Sequence, residues 1–134
     1  GLGTRDWSGR MVVRSYRDLR VWKMGMDVVE AVYELTRGFP ASERFGLASQ
    51  VQRAAVSIPS NIAEGHTREH RGEYLHFLSV AQASIAEVET QLEISVRLQY
   101  SEQNDTARVV EQVDSLGRQF RALRKALSKQ TPQP

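Results

Sequence analysis

The chain contains no cysteine, so disulfide frameworks and thiolate metal sites are both excluded and nothing depends on an oxidising compartment. Long apolar runs are also missing, and the first residues lack the apolar core of a signal peptide. A cytoplasmic protein with no membrane partner is the expectation. No Gly-rich phosphate loop appears, no Ser-His-acid arrangement is persuasive, and no stretch reads as a strand. Neither sign of charge dominates: the net value of +2 is a weak basic excess that suits nucleic acid and an ordinary soluble protein equally. Arginine outnumbers lysine fifteen to three, which reads either as phosphate or carboxylate pairing or as codon bias in a GC-rich genome. The sequon Asn104-Asp105-Thr106 carries no weight without secretion.

What is present is helical periodicity. A chain of 134 residues is the usual size of one domain. Residues 1–14 have no period and are expected as a flexible tail, with Met11 a candidate natural start; residues 15–130 are expected as the folded domain. Leu19, Trp22, Met26, Val29 and Tyr33 step by three and four, marking the core face of a first helix at about 18–37. Gly38 is expected to end it in the left-handed conformation, with Phe39 packing back on Tyr33 and Pro40 blocking continuation. A second helix, about 43–64, is expected to start from a Ser42 cap, bend at Pro59 and stop at Gly65. Helices at about 71–99 and 103–129 complete the set, the last marked by Val109, Val113, Leu116, Phe120, Leu123 and Leu127. The expected fold is therefore all-α, an antiparallel up-down-up-down four-helix bundle with a kinked second helix.

Two features of this pattern go beyond a core. Helix 1 carries a second aligned apolar line, Val21, Val28, Val32 and Leu35, which one bundle core cannot easily bury with the first; it is read as a subunit interface rather than as scattered exposed valines. Helix 2 interleaves its apolar stripe with a polar one, Gln50, Arg53, Ser57, Asn61 and Glu64, built from short amides and hydroxyls suited to a confined place.

Phe39-Pro40 followed by Glu43, then Phe45-Gly46-Leu47, the run Q-x-x-RAA-x-SIPSNIAEG from Gln50 to Gly65, Arg68, and FL-x-x-A-x-x-S-x-x-E-x-x-x-Q-L from Phe77 to Leu92 resemble one family. It is the four-helix bundle proteins, also called 23S ribosomal RNA intervening-sequence proteins. The resemblance runs from about Tyr16 to Tyr100 and is loosest in the fourth helix. It implies an up-down bundle assembling into a ring-shaped homopentamer of unassigned biochemical role, some members being encoded within intervening sequences of large-subunit ribosomal RNA genes. The architecture is also similar to that of an accessory protein of diversity-generating retroelements that associates with nucleic acid and a reverse transcriptase, an analogy only. The signature further implies that Gln50, Arg53, Ser57, Asn61 and Glu64 face Ser84, Glu87 and Gln91 of helix 3 in a buried or half-buried network. Arg53 would be its donor and Glu64 and Glu87 its acceptors. Ala83-Ser84 replaces the usual Gly before the serine, and His70 and Gly72 stand where a Ser or Thr cap is typical.

Candidate chemistry is sparse. Glu64 and Glu87 as an acid-base pair, with Arg53 between them, read better as structural ion pairing. His66 and His70, with Glu69 and Glu73, flank an expected helix stop and read as a polar turn, so neither metal nor cofactor is expected. Nucleic acid is the better-supported partner. Arg118, Arg121, Lys125 and Lys129 share one line of helix 4 with Arg124 beside them, and no acidic residue follows Asp114. Arg10, Arg14, Arg17 and Arg20 add charge near the tail, and no aromatic platform accompanies either set. The expected function is thus a non-enzymatic homo-oligomer that binds RNA or DNA phosphates through basic ridges; the alternative is a protein-interaction module with no nucleic-acid role.

Overall fold

Val21, Gly25, Val28, Val32 and Thr36 recur at three- and four-residue steps, and in the computed structural model this line faces inward. The structure describes residues 15–129 in full, together with the backbone of Thr4–Arg5 and Met11–Val12. Four helices form: α1 (Arg20–Thr36), α2 (Leu47–His66), α3 (Arg71–Arg97) and α4 (Gln103–Lys129). The chain is all-α, and each helix packs against its two neighbours in a square, with α1 and α3 diagonal and α2 and α4 diagonal. Contacts pair rising with falling numbers: Thr36 meets Gln52 while Gly25 meets Ile58, and Ser57 meets Ser84 while Gly65 meets Phe77. Arg124 bonds Gln82 while Asp114 faces Glu89, so α3 and α4 pair in the same sense. The core between them is mainly aliphatic, from Val32, Ile58, Ile62, Leu78, Leu92 and Leu116 with one phenyl ring from Phe120, each fully buried and worth about 1.5–3 kcal/mol.

The interface expected on α1 is corrected by this packing. Val21, Val28 and Val32 are buried in the protomer core and Leu35 packs against it, whereas Met26 and Tyr33, expected inside, are 39% and 43% exposed. Both apolar lines have helical period, so periodicity alone does not choose between them. The rotation of α1 against α2 decides: Gly25, on the valine line, faces Ile58 and Pro59, where an added methyl would sit in ordinary contact at 3.5 Å.

Helix termini differ from the expected chemistry as well. α1 ends in successive tight turns, Gly38 N–H to Leu35 O and Phe39 N–H to Thr36 O, and Gly38 does not adopt the left-handed conformation. Phe39 packs on Leu47, Ala48 and Tyr100 rather than on Tyr33. Ser42 does not cap α2; it lies in a 3-10 turn, Ala41–Glu43, and the Glu43 carboxylate instead accepts from the Leu47 N–H at 2.8 Å. α2 runs unbroken through Pro59 and passes Gly65 to end after His66. Within the expected tail, Thr4 pairs with Val12 and Arg5 with Met11 as a short antiparallel ladder, a strand pairing no pattern had suggested. The rest of residues 1–14, including Arg10 and Arg14, lies outside the described residues.

Candidate functional site

The polar stripe of α2 is brought to α3, but not as a buried network. Its closed part is small: Ser57 Oγ and Ser84 Oγ lie 2.8 Å apart, Asn61 Nδ2 donates to Ser57 Oγ at 2.9 Å and to Ser57 O at 2.8 Å, and Ser84 Oγ also donates to Val80 O. Short side chains fit here because the backbones are close. The other members are corrected. Gln50, Arg53, Glu64 and Glu87 are exposed, Glu64 pairs with Arg68 at 3.0 Å rather than with Arg53, and the Arg53 guanidinium makes no ion pair or hydrogen bond among the described residues. Arg53 sits one helical turn from Ser57 on the outward arc of α2, so its long side chain reaches solvent where the hydroxyls reach α3.

Gln50, Arg53, Ser57, Ser84, Glu87 and Gln91 nonetheless converge on one cleft of about 340 Å³ between α2 and α3. The Gln91 Oε1 is buried there without a donor. No proton-transfer pair follows, since the register set by Ser57 and Ser84 holds Glu64 and Glu87 about half a helix length apart. Among the described residues no cluster of His, Asp and Glu has the geometry to hold a metal.

On α4 the cations divide. Arg118, Arg121, Lys125 and Lys129 are exposed on one line, while Arg124 is half-buried and donates to Gln82 Oε1. The facing part of α3, Tyr74 to Ala86, contains neither Asp nor Glu, so that segment sets no carboxylate against the exposed line. Arg121 is near the Glu89 carboxyl, which burial first and the Asp114 carboxylate second push above the ordinary range.

Three features were missed from sequence. A crevice of about 630 Å³ between the end of α1 and the start of α2 gathers Tyr33, Arg37, Arg44, Phe45 and Arg53, with Phe45 88% exposed and the Arg44 guanidinium 5.5 Å from its ring centroid. A groove between α3 and α4 holds Glu89, Glu93, Glu111 and Asp114. Tyr100 Oη donates to Glu43 Oε1 at 3.2 Å, tying the α3–α4 turn to the start of α2. No helical wheel would have found the first, because Arg44 and Phe45 lie in the turn before α2 and only the chain's path brings them beside Arg53.

The geometry defines a class before it defines a family: a four-helix module whose polar signature is a surface cleft and whose described residues contain no catalytic constellation. The chain belongs to the 23S rRNA-intervening sequence protein family, which matches residues 17–122. Its fold is that of a Bacteroides thetaiotaomicron protein described as of unknown function and from the S23 ribosomal protein family. The TM-score is 0.71 at 18% identity, covering 78% of this chain and 98% of that one. No curated relative matches the chain. Among the described residues no helix is long and apolar enough to cross a membrane.

Proposed function

We propose that this protein is a non-catalytic homo-oligomer of the cytoplasm that holds nucleic-acid phosphates at one end of its bundle, in the five-membered ring that the family resemblance implies. Segregation of charge along the bundle axis supports the reading. In the half containing the start of α1, the α2–α3 turn and the second half of α4, ten Lys and Arg residues stand against five Asp and Glu. In the opposite half the numbers reverse, five against ten. A described domain of balanced charge is thereby a dipole with a basic pole, and protomers related by a cyclic axis running along the bundle would share its direction. The basic pole would then repeat around one rim, a multivalent surface for phosphates.

Self-association is supported separately. The exposed large hydrophobics Met26, Tyr33, Phe45, Val56, Val80, Ile94 and Leu98 all lie between α1 and the end of α3, and none lies on α4. The basic second half of α4, Arg121 to Lys129, therefore stays free of exposed large hydrophobics.

Fluorescence anisotropy of a structured RNA at two salt concentrations tests the nucleic-acid part. The wild type should bind with a steep salt dependence, and Lys125→Ala with Lys129→Ala should weaken binding across sequences and reduce the salt slope by about 1 for each phosphate left unneutralised. Arg97→Ala, at the acidic pole, should leave it unchanged. Equal binding by all three proteins, or none at low salt, would reject the basic pole as the site.

A further inference from the structure

The crevice at the start of α2 is an exposed aromatic and cationic patch with no carboxylate in its lining. Its arginines are under-used: Arg37 is paired with Glu34, but neither the Arg44 nor the Arg53 guanidinium has an ion pair or hydrogen bond among the described residues, and that of Arg44 rests on the Phe45 ring. A phenyl ring at 88% exposure flanked by guanidinium groups is the composition of an interface centre rather than of a solvated loop.

The groove between α3 and α4 is its opposite. Glu89, Glu93, Glu111 and Asp114 line about 610 Å³ with Arg118 as the only cation, over an apolar floor of Leu92, Val96 and Val110. Burial and the neighbouring Asp114 carboxylate hold the Glu89 carboxyl above its ordinary range, so the negative charge there is crowded.

The two surfaces are placed to meet. In the square of helices the α1/α2 side lies opposite the α3/α4 side. Both patches also lie at one level, in the acidic half, where α1 ends, α2 begins, α3 nears its end and α4 begins. We infer that the Arg44–Phe45–Arg53 crevice of one protomer docks into the acidic α3/α4 groove of a second copy. Phe45 covers the apolar floor, and Arg44 and Arg53 neutralise carboxylates among Glu89, Glu93, Glu111 and Asp114. The contact is head-to-tail, using two different surfaces of each chain, so it repeats from copy to copy and closes into a ring only when the rotation between neighbours completes a full turn. It rests on the homo-oligomer reading above and adds to it the identity of the two faces.

Light scattering coupled to size exclusion tests the pairing on the full chain. Arg44→Glu with Arg53→Glu, or Glu93→Arg with Glu111→Arg, should each reduce the assembly to the protomer mass, and a chain carrying all four changes should reassemble. Every one of these positions is exposed, so far-UV circular dichroism should be unchanged in all of them. Phe45→Ala, which introduces no charge, should weaken assembly at least about tenfold. A wild type that elutes as a single protomer would end the homo-oligomer reading and this inference with it. Assembly that survives both charge reversals would leave the homo-oligomer reading standing and overturn only the faces, as would dissociation that the fourfold variant does not rescue.

Discussion

Gly65 on α2 and Phe77 on α3 touch so closely that a methyl group at Gly65 would lie 2.7 Å from the Phe77 Cβ, with Tyr74 Cδ1 at 3.1 Å and Tyr74 O at 3.3 Å. The glycine is inside the helix, not at its stop, and its function is helix approach. The same closeness lets two seryl oxygens meet at Ser57 and Ser84 two turns away. The SNIAEG signature is therefore first a packing device, and the polar cleft is built on the short interhelical distance it permits.

Gly65→Ala measures that contact. In a solvated helix interior the change stabilises by about 1 kcal/mol through backbone entropy. Here the neighbours are a Cβ and a backbone oxygen that cannot swing away, so a net loss of about 1–3 kcal/mol is expected in urea unfolding. A stabilised variant would show that the helices separate without cost.

The orientation of α1 is tested by a pair of adjacent substitutions. Val32 is fully buried and Tyr33 is not, so Val32→Asp should place a carboxylate in the aliphatic core and cost several kcal/mol, on the order of the whole stability of a domain this size. Tyr33→Asp should change protomer stability by about 0.5 kcal/mol or less. Circular dichroism melts of the two variants rank them, and the reverse order would restore the face that periodicity first suggests.

A pH dependence follows from Glu89. Its carboxyl is raised from the ordinary 4.5, first by burial and then by Asp114, with Arg121 opposing. The folded protomer thus holds this proton more tightly than the unfolded chain. The favourable contribution is fully present below the ordinary glutamate range and is lost as pH rises through the raised value. Glu89→Gln should accordingly melt higher than wild type at neutral pH, with the gap closing towards about pH 4. The comparison belongs on the dissociated protomer, because cations from a docked copy would offset the same crowding. A gap independent of pH would assign the effect to packing.

The residue types and their spacing were enough for the fold class, for four helices with boundaries within a few residues, and for the family, because helical period and the run from Gln50 to Gly65 are local properties of the chain. The same local information misplaced what depends on distance between helices. Val21, Val28 and Val32 form as good a line as Met26, Val29 and Tyr33, and only the rotation at which α1 meets α2 buries the valine line, keeps Val29 at the core's edge and leaves Met26 and Tyr33 exposed. Arg53 and Glu64 share a stripe with Ser57 and Asn61, yet side-chain length sends the hydroxyl and amide into the contact and the charges to solvent.

By itself, then, the sequence determined that α1 to α4 would form and pack, since each amphipathic stripe is written in its own residues. Tertiary structure alone decided which stripe faces the core and which charges collect at each pole. It also decided that Arg44, Phe45 and Arg53 share one side while Glu93 and Glu111 share the opposite one. Those relations join residues from different helices, and they exist only once the helices have settled at one separation, one rotation and one register.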